Sequence, residues 1–403
     1  GAVRLIYVTS TLPYGKKEAF VIPEVRGLLE RGHEVLVVPA YPRGEVLHGD
    51  AKPLLPVTVP EPLVSARVAG AAARAALADP RGAARVLGLL LRSRGPGVLL
   101  RNLAALPKAL WLAGLARRWG AEHIHAHWAT VPATVALVAG ELSGIPWSFT
   151  AHRFDIAEDN LLSPKVRRAA FVRAISRRGA REIRELCGEG APEVVHMGID
   201  LPARPAWRPG PAGRALVAAN LLEVKGHVYL FEAVRLLKER GVRVRLDVAG
   251  DGPLLGELAG KVRRLRLEDR VAFLGLVPHG RLLERMRGGA WDMFVLPSIV
   301  TSRGEQEGIP VSLMEAMGCG LPVVSTATGG IPELFEGVEG ALLVPPEDPE
   351  ALAGAMERLL REGGLAGRLA DACRRRVEEE FSVEGTVERL ERLFRGRARR
   401  RSG

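Results

Sequence analysis

Residues 305–333 contain the residue types that can bind an extended, negatively charged ligand: a glycine-containing loop, a helix start and two carboxylates. Pro310 stands where the loop enters the helix, because proline is tolerated in a first helical turn and V-S-L-M-E-A-M follows it. The backbone N–H groups of Gly308, Ile309 and Val311 are then unpaired and lie at the positive end of the helix dipole. The sequence therefore predicts an anion site at this helix start.

Glu307 and Glu315 flank this anion site and are separated by seven residues. Glu307 precedes the helix and Glu315 lies further inside it, so the two carboxylates can bind opposite ends of one ligand. A sugar joined to a nucleoside through a diphosphate has hydroxyls at both ends and negative charge in the middle. The alternative is that both residues are solvated carboxylates near a helix end.

The same stretch resembles the motif of the retaining, nucleotide-sugar-dependent glycosyltransferases of family 4-like type, also described as glycosyl transferases group 1. Around the two glutamates, G-I-P, E-A-M-G-C-G-L-P-V-V and G-G-I-P-E match that pattern. The resemblance implies that Glu307 binds donor-sugar hydroxyls near the reacting carbon and that Glu315 binds the ribose. It also implies the α/β fold called GT-B, with two Rossmann-like doubly wound domains that face each other across a cleft.

The length of 403 residues favours two domains, because it exceeds what one hydrophobic core commonly fills. Strand-like runs alternate with helical segments from V-R-L-I-Y-V onward, which predicts parallel, doubly wound sheets. A stretch with four prolines marks a linker, after which the alternation begins again. The expected parts are an acceptor-side domain (1–200), the linker (201–212), a donor-binding domain (213–382), a terminal helix that by resemblance returns to the first domain (383–396) and a basic tail (397–403).

Cysteine usage and hydropathy favour a cytoplasmic protein. The three cysteines are far apart and form neither a disulfide framework nor a C-x-x-C metal pattern. The first apolar run, residues 3–8, has the length of a strand, and no later uncharged apolar run approaches the length of a membrane span. The pattern G-x-G-x-x-G is absent, which disfavours ordinary dinucleotide binding.

Candidate acceptor-side residues follow the expected strands of the N-terminal half, at the edge where open α/β sheets bind ligands. Gly15, Lys16 and Lys17 lie in the loop after the first strand. His152 and Asp155 follow the strand W-S-F-T-A. The resemblance implies that His152 lies near the donor sugar and the acceptor. A core histidine bonded to backbone is the alternative.

The phrase H-I-H-A-H-W-A places His123, His125 and His127 on alternate residues of an expected strand, so that their side chains face the same way. Three histidines can supply a zinc site. The resemblance explains the phrase without a metal and makes His127 a candidate acceptor-side residue.

The segment N-L-L-E-V-K-G-H resembles the family pattern Arg-Leu-x-x-x-Lys-Gly, whose two cations clamp the donor diphosphate. Lys225 and Gly226 match this pattern, whereas Asn220 stands where arginine is usual. A charge-assisted hydrogen bond contributes about 1.5–3 kcal/mol. The clamp is therefore weaker unless Arg303 or the lysines after the first strand supply the missing charge. The alternative for Lys225 is a solvated lysine at a helix start.

The net charge of +11 is concentrated in two stretches. Residues 66–118 contain ten basic residues and one acid, and residues 391–403 contain six arginines and one acid. Residues 66–118 look helical, with expected breaks at Pro80, Pro96 and Pro107. A basic amphipathic helix can lie on an anionic membrane surface, and an ordinary solvated face is the alternative. Two trios of basic residues recur at intervals of seven, which predicts one helical face for each trio: Arg67, Arg74 and Arg81, then Arg94, Arg101 and Lys108.

These features together predict a retaining glycosyltransferase that uses a nucleotide-diphosphate sugar, with His152, Lys225 and Glu307 as candidate catalytic residues. The opening phrase T-L-P-Y-G-K-K-E-A-F-V-I-P-E resembles bacterial enzymes of exopolysaccharide or colanic-acid type. With the basic faces, this implies a glycan or lipid-linked acceptor and a peripheral position at the inner face of the membrane. No D-x-D lies near the motifs, so neither a metal nor another cofactor is expected.

Two other classes of protein remain open. A GT-B nucleotide-sugar epimerase would use the same donor site without an acceptor. A nucleic-acid-binding protein would use the basic stretches, and a pI near 10.1 permits it. Little aromatic interleaving in the basic stretches disfavours nucleic acid, and the motifs of the second half would then be unexplained.

Overall fold

The computed structural model of the chain describes residues 2–15, 18–46, 49–188, 190–205 and 208–398. The chain divides into two compact units. Unit 1 contains Gly1–Gly198 and Val383–Gly403, and unit 2 contains Ile199–Ser382. The candidates Lys16 and Lys17, and residues 399–403 of the expected tail, lie outside the described residues.

Unit 1 is built on a parallel sheet of six strands: β1 (Arg4–Thr9), β2 (Glu34–Pro39), β3 (His123–His127), β4 (Trp147–Ala151), β5 (Phe171–Ala174) and β6 (Glu193–Val194). They pair in the order β2-β1-β3-β4-β5-β6. The connecting helices are α1 (Ile22–Glu30), α2 (Ala66–Ala78), α3 (Pro80–Leu90), α4 (Pro96–Trp119), α5 (Val131–Ser143), α6 (Arg153–Glu158), α7 (Leu162–Arg168) and α8 (Arg177–Cys187).

The central strand β1 shows why this sequence forms a sheet buried on both faces. Ile6 and Val8 belong to one hydrophobic core, and Leu5 and Tyr7 to another. Successive strand side chains point to opposite faces, so an uninterrupted apolar run supplies both cores. The doubly wound parallel sheet predicted for this half is confirmed.

The break expected at Pro107 is absent, because Pro107 lies inside the continuous helix α4. An internal proline costs a helix about 3 kcal/mol through a lost hydrogen bond and a steric clash. Helix α4 packs along α2 and α5 and buries Ala105, Ala109 and Leu112 completely or nearly so. This tertiary packing offsets the cost, and the prediction from local pattern alone was wrong.

The two basic trios do not form two continuous helical faces, contrary to prediction. Asp79 and Pro80 begin a new helix, so Arg81 lies on α3 whereas Arg67 and Arg74 lie on α2. The backbone N–H of Gly82 donates to Asp79 Oδ1 over 2.8 Å and caps that new helix. A spacing of seven residues therefore does not place Arg74 and Arg81 on one helical face, because they lie on different helices.

Lys108 of the second trio is buried in the core of unit 1 and does not reach the surface. Its ammonium donates to the backbone carbonyl oxygens of Pro39, Ala40 and Glu61. Burial lowers the pKa of Lys108 to about 8. Lys108 thus joins α4 to the end of β2, and it contributes no charge to a membrane surface.

Helix α4 is the one helix among the described residues whose length and apolar content would permit it to cross a membrane. It contains Arg101 and the buried Lys108, and it packs along α2 and α5. Length and composition alone are weak evidence for a membrane span, because core helices of globular proteins share them.

Unit 2 also contains a parallel six-stranded sheet: β7 (Arg214–Ala218), β8 (Arg245–Ala249), β9 (Val271–Gly275), β10 (Met293–Leu296), β11 (Val323–Thr326) and β12 (Leu342–Val344). The strand order is β12-β11-β10-β7-β8-β9. Its helices are α9 (His227–Glu239), α10 (Leu255–Arg264), α11 (His279–Arg287), α12 (Val311–Gly318), α13 (Ile331–Leu334), α14 (Pro349–Arg361) and α15 (Leu365–Glu380).

The last helix, α16 (Val383–Ala398), packs in unit 1 against α1. A side chain at Gly27 would lie 2.8 Å from Val387 Cγ2, so glycine permits this close approach. Arg31 and His33 then place nitrogens 2.9 and 3.2 Å from the carboxylate of Glu391.

Candidate functional site

In unit 2 the order of the strands changes direction at the adjacent strands β7 and β10. Strands β8 and β9 follow on one side of β7, and β10, β11 and β12 follow on the other side. Open α/β sheets bind ligands at the carboxyl ends of the two strands where this reversal occurs. The loop after β7 contains Asn220 and Lys225, and the loop after β10 contains Glu307. The topology therefore brings together two motifs that are far apart in the sequence.

Lys225 and Glu307 form an ion pair at this edge, and their side chains are only 17% and 13% exposed. Ser298 places its hydroxyl oxygen 3.4 Å from the same oxygen of Glu307. The N–H of Ile299 donates to the carbonyl of Val224 over 2.9 Å and joins the two loops. An ammonium has three protons, so Lys225 can hold Glu307 and still donate to a bound anion.

Two glycines let the backbones of this site approach each other. Gly226 has a φ of +68°, and a Cβ there would lie 1.9 Å from the carbonyl oxygen of Pro297. Gly329 has a φ of +61°, and its Cβ would lie 2.2 Å from the carbonyl oxygen of Glu307. The motifs K-G and G-G-I-P-E therefore have a steric role, since only glycine leaves room for the loop that presents Glu307.

The helix predicted after the glycine loop is α12, and it begins at Val311 with Pro310 as the preceding cap residue. No side chain caps this start. The amides of Gly308, Ile309 and Val311 have no hydrogen-bond acceptor within the described part of the chain. Gly308 and Val311 are exposed. The start of α12 can thus accept an anion beside Lys225 without displacing another group.

Glu315 lies inside α12, where its Oε1 is 2.6 Å from Nε2 of His279. His279 is the first residue of α11 and is 67% exposed in its side chain, whereas Glu315 is 15% exposed. His279 was not among the predicted site residues. The available signal was its position shortly after β9, at the same edge of the sheet as the other motifs.

The same edge of unit 2 exposes apolar side chains. Five large hydrophobic residues of the described part of unit 2 are more than one-third exposed, and all of them lie in loops after strands or at helix starts on this edge: Leu222, Leu255, Leu276, Val300 and Val311. Exposed apolar groups beside unpaired amides are typical of a ligand site, because a ligand with flat apolar and charged parts would cover both. Asn220 and Arg303 are exposed here too, and neither forms a hydrogen bond or an ion pair with Lys225 or Glu307 in the described structure.

In unit 1 the order of the strands changes direction in the same way, at the adjacent strands β1 and β3. The carboxylate of Glu18 is 2% exposed and accepts the backbone N–H groups of Ser10, Thr11 and Leu12 after β1, at 2.9, 2.5 and 2.8 Å. The same carboxylate accepts the indole N–H of Trp128, after β3, at 2.7 Å. Glu18 therefore joins the two loops of this edge. The nearby candidate Gly15 donates its N–H to the carbonyl of Glu45 over 3.0 Å.

Trp128 connects Glu18 to the candidate residue His152. Its backbone has a φ of +93°, which is uncommon for a bulky residue and indicates strain that its neighbours maintain. The indole stacks on the His152 ring with 4.3 Å between centroids. Nε2 of His152 lies 2.7 Å from Nε2 of His127. The structure thus brings together the two candidates His127 and His152, and adds Glu18 and Trp128, which the sequence motifs did not single out.

Asp155, the other candidate after β4, is buried, and its carboxylate accepts hydrogen bonds from backbone N–H groups. The N–H of Ala129 donates to its Oδ2 over 2.7 Å, and the N–H of His152 donates to its Oδ1 over 2.6 Å. Burial raises the pKa of Asp155 to about 7, against the opposing effect of these amides. Lys165, which is fully buried beside it, donates to the carbonyls of Ala129 and Asn160 at 2.6 and 2.7 Å. Asp155 therefore fixes the loops around His152.

The three histidines of β3 are buried, and two of them bond to hydroxyls of the neighbouring strand β4. His123 Nε2 and His125 Nδ1 each lie 2.7 Å from Ser148 Oγ, and His125 Nε2 lies 2.9 Å from Thr150 Oγ1. Burial lowers the pKa of all three imidazoles, that of His123 to about 3. Among the described residues, no group of His, Cys, Asp and Glu side chains is arranged to hold a metal ion.

The buried imidazoles predict that the protein loses stability in mild acid. The unfolded chain binds a proton on each histidine near pH 6.5, whereas burial keeps His123 and His152 neutral down to a pKa of about 3. The contribution of these histidines to stability is therefore fully present above pH 6.5 and falls as pH drops toward 3, while the buried Asp155, with a pKa of about 7, partly offsets this loss. We expect up to about 1.4 kcal/mol lost per pH unit for each such histidine. Thermal melting followed by near-ultraviolet circular dichroism across this range measures the effect.

His123→Asn provides the matched comparison, because it removes one of these titrating groups and keeps a polar side chain beside Ser148. The melting temperature of this variant should depend less steeply on pH below 6.5 than that of the wild type. An unchanged melting temperature of the wild type between neutral pH and about pH 5 would contradict the assignment.

Comparison with known proteins identifies the family. The model for Glycosyltransferase Family 4 matches residues 18–202, and the model for Glycosyl transferases group 1 matches residues 208–376. WcaL of Salmonella typhimurium, which is named for colanic acid biosynthesis, is 35% identical over 205 residues, or 50% of this chain and 50% of WcaL. The amylovoran biosynthesis glycosyltransferase AmsK of Erwinia amylovora is 38% identical over 184 residues, or 45% of each chain. The chain spans about half the length of the curated relatives it matches.

The fold has a solved counterpart in HepE of Anabaena, whose crystal structure contains UDP. The TM-score is 0.69 at 18% identity, and the match covers 98% of this chain and 100% of HepE. The two parallel six-stranded sheets of this chain, with their flanking helices, thus match HepE in fold. The chain therefore belongs to the GT-B glycosyltransferases, with a glycosyltransferase family 4 region followed by a glycosyl transferases group 1 region.

Proposed function

We propose that the protein is a retaining glycosyltransferase that moves a sugar from a nucleotide-diphosphate sugar to a hydroxyl group. The observation that carries this proposal is the ion pair of Lys225 and Glu307 beside the uncapped start of α12. A cation and unpaired amides suit the diphosphate, and a carboxylate suits the sugar hydroxyls next to it. The presence of UDP in the HepE crystal supports a nucleotide donor for this fold.

The proposed roles follow the order in which the donor-binding groups lie along the carboxyl edge of the unit 2 sheet. The amides of Gly308–Val311 and the ammonium of Lys225 bind the diphosphate, Glu307 binds the donor sugar and Glu315 binds the ribose. In the reaction, the bond between the anomeric carbon and the diphosphate oxygen breaks, and the acceptor oxygen bonds to the same carbon from the same face. The acceptor proton passes to a phosphate oxygen of the leaving diphosphate. Fixed donors that stabilise this developing charge supply most of the rate.

The reaction in this form uses no metal and no other cofactor, since Lys225 and the helix start provide the positive charge. WcaL and AmsK are named for the biosynthesis of colanic acid and amylovoran. By analogy, the acceptor is a glycan or lipid-linked glycan of bacterial polysaccharide synthesis, and the protein acts at the inner face of the cytoplasmic membrane. His152, with His127 beside it, is the proposed catalytic group of the acceptor side.

Thermal stability in the presence of UDP-, GDP-, ADP- and TDP-sugars tests the donor assignment. One nucleotide series should raise the melting temperature, because a ligand at 100 times its Kd stabilises the native state by about 2.7 kcal/mol. Glu315→Ala should reduce this shift, whereas Glu305→Ala, an exposed carboxylate nearby, should keep it. If no nucleotide sugar changes the melting temperature, the proposed function is wrong. NMR of the product then reports whether the anomeric configuration is retained.

A further inference from the structure

Glu315 is a largely buried carboxylate whose one side-chain partner in the described part of the chain is His279. Its side chain is 15% exposed, and its Oε1 lies 2.6 Å from Nε2 of His279. The other oxygen, Oε2, accepts no hydrogen bond from the described residues. An ionised carboxylate has about four acceptor positions on its two oxygens, so the contact with His279 leaves most of them open. Glu315 can therefore accept hydrogen bonds from a ligand while it stays in contact with His279.

The imidazole of His279 reaches Glu315 from a different part of the sheet. His279 is the first residue of α11, which follows the outermost strand β9, whereas α12 follows β10. Strands β7 and β8 lie between these two strands in the sheet. Pro278 precedes His279, and its carbonyl accepts the N–H of Leu282 over 3.0 Å, which fixes the backbone at the start of α11. Two separate elements therefore hold the imidazole and the carboxylate.

The contact has more effect on the orientation of Glu315 than on the stability of the fold. The side chain of His279 is 67% exposed, and ion pairs or hydrogen bonds with an exposed partner contribute little to stability. A glutamate side chain has three rotatable bonds, so without a partner its carboxylate would adopt several rotamers. The imidazole donates to Oε1 either as the neutral Nε2–H form or as the protonated form. His279 thus limits the directions in which Glu315 can point.

We propose that His279 is a positioning residue that makes the donor site select ribonucleotides over 2′-deoxyribonucleotides. The inference deepens the proposed function and rests on it, because it takes Glu315 as the acceptor of the ribose hydroxyls. A carboxylate that is free to turn would bond to water or to the 3′-hydroxyl when the 2′-hydroxyl is missing. A carboxylate held by His279 cannot turn away, so a deoxyribonucleotide leaves one of its acceptor positions desolvated and unpaired.

This selectivity restricts the choice of donor. UDP, GDP and ADP contain ribose, whereas TDP contains 2′-deoxyribose. TDP-sugars should therefore give the smallest melting shift of the four nucleotide-sugar series. The bases of these nucleotides also differ, so the comparison that isolates the sugar is each ribonucleotide against its own 2′-deoxy counterpart.

Calorimetric titration of the full chain with UDP, GDP, ADP, dUDP, dGDP and dADP tests the proposal. The ribonucleotide that the wild type binds should bind about 10- to 100-fold more tightly than its deoxy counterpart, the range that one hydrogen bond to a charged group supplies. His279→Ala should reduce this ratio to about threefold or less, because Glu315 can then turn away. His279→Gln keeps a side-chain N–H donor and should restore part of the ratio.

A double variant separates positioning from direct contact with the nucleotide. Glu315→Ala removes the acceptor and should abolish the preference for ribose. Adding His279→Ala to this variant should change the ratio no further, since His279 acts through Glu315. The matched control is Arg281→Ala, which alters an exposed residue of the same helix and should keep the wild-type ratio. Melting temperature and near-ultraviolet circular dichroism verify that every variant is folded.

Four outcomes would overturn the positioning role of His279. They are a wild type without preference for ribose, equal losses of ribonucleotide and deoxyribonucleotide affinity in His279→Ala, a further change of the ratio when His279→Ala is added to Glu315→Ala, and the same fall of the ratio in Arg281→Ala. Affinities unchanged in His279→Ala would overturn it too.

Sugar transfer separates this inference from the proposed function. Transfer from a nucleotide sugar, together with an unchanged ratio in His279→Ala, overturns the role of His279 alone. The expected ratios without transfer from any nucleotide sugar support the role of His279 and overturn the proposed function. A wild type that binds no nucleotide overturns both.

Discussion

Replacing Lys225 with alanine is expected to lower kcat/KM for sugar transfer by about 100- to 1,000-fold. The ammonium of Lys225 is the one side-chain cation that the described structure places against Glu307, so its loss removes the charge proposed to stabilise the leaving diphosphate. Losses of this size are typical when one preorganised donor to a developing negative charge is removed. Initial rates of nucleotide release with saturating acceptor measure the change.

Lys238→Ala is the matched control, because Lys238 is a lysine of the adjacent helix α9 that pairs at the surface with Asp269. It should leave kcat/KM within about twofold of wild type, since surface ion pairs contribute about 1 kcal/mol or less to stability and none to the site. Lys225→Arg should retain part of the activity because it keeps the charge. Full activity in Lys225→Ala would remove Lys225 from the mechanism.

Replacing Arg173 with methionine is expected to lower the free energy of unfolding by about 3–5 kcal/mol. Arg173 is completely buried, and its guanidinium donates to Glu24 Oε2 at 2.6 Å and to the carbonyl oxygen of Val195 at 2.8 Å. The hydroxyl of Tyr7 also donates to Glu24. Burial, with the negative charge of Glu24, raises the pKa of Tyr7 well above its usual value. Without Arg173, the carboxylate of Glu24 would be buried with no compensating charge.

Urea unfolding at neutral pH measures this loss as a lower midpoint with little change in slope. The double variant Arg173→Met/Glu24→Gln should regain part of the stability, because no charge is then left buried alone. Arg178→Met, which breaks a part-exposed pair with Glu182, should change stability by about 1 kcal/mol or less. A midpoint for Arg173→Met equal to that of Arg178→Met would show that the buried pair has no special contribution.

The sheets and the edges that carry the candidate residues could be predicted from the sequence, because strand alternation and strand ends are local patterns. The strand V-R-L-I-Y-V and the alternate histidines of β3 are confirmed as parallel strands. The helix start after Pro310 also follows from local residue types, and α12 begins at Val311 as predicted.

Contacts between distant segments could not be predicted in this way. The ion pair of Lys225 with Glu307 depends on β7 and β10 being neighbours, which no local pattern specifies. The hydroxyls that bond to the β3 histidines come from β4, and the pairing register decides which residues meet. The two trios of basic residues were misassigned for a related reason. Asp79 caps a new helix between Arg74 and Arg81. The carbonyl groups that bind Lys108 belong to segments distant in the sequence.

Glu18 acts in unit 1 as a ligand that the chain supplies to itself. Its carboxylate accepts hydrogen bonds from the backbone N–H groups after β1. At this position a doubly wound fold can otherwise bind a phosphate. Because the group is tethered a few residues away, its effective concentration is on the order of millimolar or higher, and a free phosphate must compete with it at every encounter. The start of α12 in unit 2 has no such occupant among the described residues. One glutamate thus makes two similar folds unequal: in unit 1 the chain's own carboxylate accepts the amides after β1, whereas the amides at the start of α12 have no acceptor among the described residues.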